Sequence, residues 1–262
     1  QMPRALGLAY ASKAFRKIKE LSNLTNLSTD GNEVCFCTIG DASTSEGHFW
    51  ETINAAGVLQ VPLAVFVWDD GYGISVPKKY QTTKASISEV LKGFQKKEDT
   101  NGVEIYKLKG WDYAGMCEIL EPAIQKIRDT HTPAIFHVEE ITQPQGHSTS
   151  GSHERYKTPE RLEWEKEWDG LKQMRQWIIA NALAEEEELI NIETEAVQFV
   201  KESKQKAWAK YIEPIKTLVT ETTEMLRPLA SNPAVKKLAD ELAALREPMR
   251  RDVMKTLATA LD

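Results

Sequence analysis

The chain has 262 residues, and its 33 basic and 39 acidic side chains leave a formal net charge of −6, which sets aside broad phosphate-backbone binding because nucleic-acid binders carry a net basic face. At 41% hydrophobic and 27% charged it has the composition of a soluble globular protein, and no apolar run approaches the ~18 residues that a bilayer crossing needs. Three cysteines, an odd number, argue against a disulfide framework and for a reducing compartment.

Residues 2–21 carry Leu6, Ala9, Ala14, Ile18 and Leu21 at helical spacing, with Lys13, Arg16, Lys17 and Lys19 on the outer face. Asp30-Gly31 is a turn, and residues 34–39 form a short apolar run rich in strand formers. A helix over 45–59, a second buried strand over 62–68 and a turn at Asp69-Asp70-Gly71 follow. Residues 86–95 and 112–129 read as helices, and 103–108 and 133–139 as strands. Buried strands alternating with helices predict an α/β fold with a doubly wound, mainly parallel sheet covered on both faces.

Beyond this the pattern is helical, over 159–168, 171–181, 185–211, a stretch around 214–226, and 233–261. Leu238, Leu242, Leu245, Met249, Val253 and Leu257 fit one helical face, which reads as a packing face. Twelve of the 14 glycines lie in residues 1–150, and none follows Gly170. The loss of the residue that permits tight turns places a boundary between 150 and 170. The expected division is a ligand-binding α/β domain over 1–165 and a helical extension or connector over 166–262.

In a doubly wound sheet, ligands bind beyond the carboxyl ends of the strands. The strand at 34–39 runs into Gly40-Asp41-Ala42-Ser43-Thr44-Ser45-Glu46-Gly47, and that at 62–68 into Asp69-Asp70-Gly71-Tyr72-Gly73. If the two strands are neighbours, Asp41 and Asp70 stand roughly 5–10 Å apart. Two facing carboxylates repel unless a cation lies between them. Mg²⁺ takes one or two carboxylates together with phosphate oxygens, and the Ser43-Thr44-Ser45 stretch offers free N–H groups at a helix start, with Ser43 and Glu46 at capping-box spacing. Each piece alone is an ordinary cap or turn. Their spacing points to a metal–diphosphate site.

Asp41 and Asp70 are 29 residues apart, and the string resembles the thiamine diphosphate signature of Gly-Asp-Gly followed some 25–30 residues later by Asn. The segment from Thr38 through Pro77 is similar to the alpha subunit of 2-oxo acid dehydrogenases, the decarboxylating components of the pyruvate and branched-chain complexes. Gln1-Met2-Pro3-Arg4 onward resembles the helix which that family places before the signature. Gln145-Gly146-His147-Ser148 resembles its histidine loop, and Arg155-Tyr156-Lys157-Thr158-Pro159-Glu160, with Trp164 and Trp168-Asp169, the segment after it.

The resemblance implies thiamine diphosphate and Mg²⁺ as cofactors. It makes Asp41 and Asp70 metal ligands, with the Tyr72 carbonyl as a third. Ala42 and Ser43 would meet the diphosphate through N–H groups, and Gly40, Gly73 and Ile74 would belong to the same binding surface. His147 is the implied catalytic histidine over the cofactor, Glu51 matches an acidic position in a proton relay between paired sites, and Ser148 matches a phosphorylated position. Three residues depart from the pattern: Ala42 replaces glycine, Asp70 replaces asparagine, and His48 stands where bacterial relatives are often acidic.

The implied reaction decarboxylates a 2-oxo acid and passes the acyl group to a lipoyl-bearing acyltransferase core. A beta-like subunit or domain would supply the glutamate that activates the aminopyrimidine. The expected assembly is a homodimer of fused alpha–beta chains or a heterotetramer. Its expected location is the bacterial cytoplasm, or the mitochondrial matrix in a eukaryote. Because the chain begins at Gln1 and the family has sequence before this point, a piece of a fused polypeptide is expected. Two other readings stay open: a transketolase-like or acetoin-type thiamine diphosphate enzyme, and a catalytically silent scaffold.

Other candidates carry less. Cys35 and Cys37 lie on one side of a strand and read as buried small hydrophobes. Cys117 sits in a helix, and His147 and His153 lack zinc spacing with any cysteine. His131 reads as a loop residue and His137 as a strand residue. No Gly-x-Ser-x-Gly elbow and no Walker loop occurs.

Overall fold

Helix α1 (Met2–Lys17) opens the chain with proline in its first turn, where a missing N–H costs nothing, and it buries Met2, Ala5, Ala9 and Ser12. It stops before the expected 21, as Ile18 turns extended and a short 3-10 turn, Lys19–Leu21, follows. These positions belong to a computed structural model, which describes residues 1–147 and 153–261. Strand β1 (Cys35–Gly40), helix α2 (Gly47–Leu59) and strand β2 (Leu63–Trp68) form the first βαβ unit. A small hairpin, β3 (Tyr72–Gly73) and β4 (Val76–Pro77), follows, with the turn α3 (Ile87–Val90) running into a 3-10 turn, Leu91–Phe94. Strand β5 (Glu104–Lys109), helix α4 (Tyr113–Thr130) and strand β6 (Ala134–Glu139) complete the sheet.

The sheet has the order β1-β2-β6-β5, and every pair is parallel. Because β6 returns between β2 and β5, the carboxyl ends of β1, β2 and β6 open side by side. Alternation along β2 serves two cores. Leu63, Val65 and Val67 pack with Met2, Phe49, Ile53 and Ile135 on the α1/α2 face. Ala64 and Phe66 pack with Phe136, Val138 and Ile127 on the α4 face. An aromatic row crosses that face, Phe36 against Phe66, Phe66 against Phe136, and Phe136 against Tyr106, with centroids 4.8–6.0 Å apart. The row ends uncovered: Phe36 and Thr38 of the edge strand β1 are exposed, so the expected cover on both faces holds for β2 and β6 only.

The chain divides into two compact units, Gln1–Leu183 and Ala184–Asp262, later than the expected division at 165/166. Helices α5 (Pro159–Glu167) and α6 (Gly170–Ala180) therefore belong with the α/β unit. Arg161 of α5 donates through Nη2 to the Asp70 carbonyl at 2.9 Å, and Trp168 packs on Trp111 with centroids 4.5 Å apart. Thr158 and Asp169 cap these two helices by accepting from Arg161 N and from Leu171 N and Lys172 N.

The second unit is helical. Helix α7 (Glu186–Leu226) runs unbroken through Pro214, so the expected gap between 211 and 214 closes; proline leaves one carbonyl of the preceding turn without its helical N–H. The reverse holds for 233–261, which splits into α8 (Pro233–Ala243) and α9 (Arg250–Leu261). Pro248 bars its predecessor from helical geometry, and Asp252 then caps α9 by accepting from Met249 N at 2.8 Å. Leu245 of the expected stripe is exposed, whereas Leu242 and Val253 are buried. Leu226, Val235 and Ala239 form the small core of this unit. No helix among the described residues is long and apolar enough to cross a membrane.

Candidate functional site

The register that pairs Gly40 with Trp68 brings the ends of β1 and β2 together, and one further rung, Asp41 N donating to Trp68 O at 3.1 Å, carries the pairing into the site. Past Asp41 the chain makes a 3-10 turn, Ala42–Ser45, closed by Thr44 N donating to Asp41 O at 3.1 Å and Glu46 N to Ser43 O at 3.2 Å. Helix α2 begins only at Gly47, with Glu46 at its N-cap and no side-chain cap bond, so the expected Ser43–Glu46 capping box does not form. The short turn takes up the residues that the box would have used.

At the end of β2 the two aspartates part. Asp70 points into an open cavity of about 540 Å³ whose lining includes Gly40, Asp41, Ala42, Ser43, Tyr72, Gly73, Ile74 and His147. The structure thus gathers these sequence-derived candidates around one space, together with Glu46, Trp68, Gln81, Ile141 and Gln143. Glu51 is not among them, since it lies exposed on α2, as does His48. Ser148 lies outside the described residues.

Asp41 and Asp70 are 5% and 8% exposed, and Asp41 Oδ2 and Asp70 Oδ2 are the only buried carboxylate oxygens among the described residues that accept no hydrogen bond. Burial, then the neighbouring charges of Asp69 and Asp70, push the Asp41 carboxyl up to about 7, against the pull of the Ala42 N–H and Lys78. Burial also raises Asp70, although the Tyr72 N–H, His147 and Lys157 oppose it. The Tyr72 N–H donates to Asp70 Oδ1 at 3.2 Å, and His147 Nε2 stands 3.4 Å from Asp70 Oδ2. Two buried, unsatisfied oxygens in one cavity fit a hard divalent cation, which would supply the missing positive charge.

Asp69, beside the site, is the buried residue that sequence reasoning read only as part of a turn. It is 2% exposed and fully engaged: Oδ1 accepts from Gly71 N at 2.9 Å, and Oδ2 accepts from Lys78 Nζ and His137 Nε2, both at 2.8 Å. An ionised carboxylate only accepts, so His137 donates through Nε2, and its Nδ1 lies 3.0 Å from the Ser88 hydroxyl. Burial favours the protonated form of Asp69, but the His137 and Lys78 hydrogen bonds outweigh it and hold the carboxyl below its ordinary value. Asp69, His137 and Glu139 bring their ligand atoms within 4.8 Å of one another, yet the Lys78 ammonium already balances this cluster. The available signal was Lys78, a cation nine residues downstream, where the hairpin returns: Lys78 N donates to Gly71 O at 2.9 Å.

A second ionic group fastens the segment after His147. Lys157 and Glu165 form a buried pair at 2.8 Å, and Arg161 Nε donates to the same carboxylate at 2.8 Å. The Arg161 guanidinium and the Lys157 ammonium lie 5.7 and 5.4 Å from the centroid of the Tyr72 ring. Lys157 of the Arg155–Glu160 segment singled out in the sequence, and Arg161 just after it, therefore reach the turn after β2 through their side chains.

Comparison with known proteins bears on this arrangement. A family model described as "Dehydrogenase E1 component" matches residues 1–216. The chain is 26% identical over 203 residues to the pyruvate dehydrogenase E1 component subunit alpha of Rickettsia bellii, covering 78% of this chain and 55% of that protein. It is 28% identical over 184 residues to the mitochondrial 2-oxoisovalerate dehydrogenase subunit alpha 2 of Arabidopsis thaliana, covering 69% and 34%. With the human mitochondrial 2-oxoisovalerate dehydrogenase subunit alpha it shares 25% over 190 residues, covering 72% and 38%. The chain thus spans about half or less of the length of these relatives. With the greater part of its length matched, and with the strand-end residues of the signature gathered around one cavity, the chain belongs to the dehydrogenase E1 component family.

Proposed function

We propose that this chain is the magnesium- and diphosphate-binding part of a thiamine diphosphate-dependent enzyme acting on a 2-oxo acid, pyruvate or a branched-chain one. The observation that carries the reading is the pair of buried carboxylate oxygens that accept no hydrogen bond, Asp41 Oδ2 and Asp70 Oδ2, in two residues that line one cavity. When bound, the cofactor supplies the decarboxylation of the 2-oxo acid and the carriage of its acyl group to a lipoyl-bearing acyltransferase core.

The chain's own residues bind and orient. Asp41 and Asp70 hold Mg²⁺, with the Tyr72 carbonyl as the expected third protein ligand. The Ala42 and Ser43 N–H groups and the bare α-carbons of Gly40 and Gly73 form the cradle for the diphosphate. Ile74, exposed at 64%, offers an apolar wall. His147 approaches Asp70 from the loop side and can donate to an anion held there. Glu51 remains the proposed relay acid, facing solvent on α2.

The remaining parts of the proposal concern the assembly. A beta-like subunit or domain supplies the glutamate at the aminopyrimidine, in a homodimer of fused chains or a heterotetramer. The protein works in the bacterial cytoplasm or in the mitochondrial matrix.

Calorimetric titration with thiamine diphosphate tests the binding role. Saturable binding that requires Mg²⁺ is expected, and no binding at millimolar cofactor sinks the reading. With the beta partner present, an artificial electron acceptor then ranks pyruvate against branched 2-oxo acids.

A further inference from the structure

Gly73 has no room for a side chain. A β-carbon built there would lie 2.8 Å from the β-carbon of Ala42 and would run into the end of the Gln81 side chain. The two obstacles differ in kind. Gln81 ends in a rotatable amide, whose Nε2 donates to Val76 O at 2.6 Å, and it can swing aside at the cost of that bond. The Ala42 methyl is fixed by the backbone of its turn, which two hydrogen bonds close. Gly40, on the same cavity wall, meets nothing within 4 Å in the place of a β-carbon, so crowding is particular to Gly73.

Position 42 is where the signature carries glycine and this sequence carries alanine. We infer that positions 42 and 73 are a matched pair that shares one β-carbon: the methyl stands at 42, and the bare α-carbon at 73 lets the hairpin close on the turn that cradles the anion. Ala42 is thereby accommodated, and Gly73 is the positioning residue that makes it so. The ligand arm of this inference rests on the proposed diphosphate reading; the packing arm does not.

A double-substitution cycle on the full-length protein decides it. Gly73→Ala lowers Tm by about 3 °C or more and weakens Mg²⁺-dependent binding of thiamine diphosphate roughly tenfold. Adding Ala42→Gly to Gly73→Ala restores both, whereas adding Gln81→Ala restores neither. The inference is overturned by a Gly73→Ala protein that behaves as the unsubstituted one, by an A42G/G73A protein no better than G73A, or by full recovery through Gln81→Ala. Should Gly73→Ala prevent folding, recovery of folded protein in A42G/G73A supports the pairing, and failure of both overturns it. If the unsubstituted protein binds no thiamine diphosphate, the functional reading fails while the Tm cycle still judges the pair.

Discussion

Asp69 and Asp70 are chain neighbours in opposite situations. Asp69 follows Val65 and Val67 to the α1/α2 face, where His137, Lys78 and the Gly71 N–H consume both of its oxygens. Asp70 turns into the cavity and, like Asp41, has one oxygen that accepts no hydrogen bond. Both sit in poorly solvated places, so exposure does not separate them. Charge balance does: the Lys78 ammonium stands 2.8 Å from Asp69, whereas Asp70 faces the His147 ring at 3.4 Å.

The largest expected effect falls on the balanced side. Asp69→Ala strands the Lys78 ammonium and the His137 N–H and should cost about 3 kcal/mol, read from urea unfolding. An equal loss from Asp70→Ala would erase the contrast. On the unbalanced side the sign reverses. Asp41→Asn removes a carboxylate charge that burial and the neighbouring Asp69 and Asp70 disfavour, so the metal-free protein at pH 8 should melt about 2–5 °C higher, while Mg²⁺ no longer adds stability. Thermal scans with and without Mg²⁺ check both halves.

Arg161 ties the Asp70 side to the segment after His147. Arg161→Ala gives up the bonds to Glu165 and the Asp70 carbonyl and should cost about 1–2 kcal/mol. Arg161→Lys should recover less than half, because an ammonium cannot span both acceptors. The smallest effect is a pH slope. His131 is held below its ordinary 6.5 by burial, then by Arg16. Between the folded and unfolded values the unfolded chain binds the extra proton, so this contribution is whole above about 6.5 and falls away as pH drops. His131→Asn should flatten the Tm profile across that window, since asparagine tolerates the left-handed backbone there, φ 56°.

The strands and the Asp41–Asp70 constellation were legible because period and spacing are local properties of the chain. Runs of apolar residues marked β1, β2 and β6, and in a parallel sheet any ligand residues must gather at the carboxyl ends. Asp69 was read only as part of a turn, because its partner His137 is 68 residues away and Lys78, nine residues on, pairs with it only once the hairpin has closed. His137 read as a plain strand residue for the same reason. The capping box failed because a 3-10 turn competes for those residues, and the helical unit was misdivided at both prolines. Pro214 is absorbed within a 41-residue helix, while Pro248 falls where the chain is already turning. Proline reports a local cost, and tertiary packing decides whether the chain bears it.

The hydrogen bond from Asp41 N to Trp68 O has a consequence in time. It is the last rung of the β1–β2 ladder, so the Asp41 amide opens only when the ladder frays, whereas the Ala42 and Ser43 amides lie past that rung. Deuterium uptake should therefore change rate abruptly between Asp41 and Ala42. The two amides proposed to cradle the diphosphate thus keep the fast clock of a turn, while the Asp41 amide beside them keeps the slow clock of the sheet.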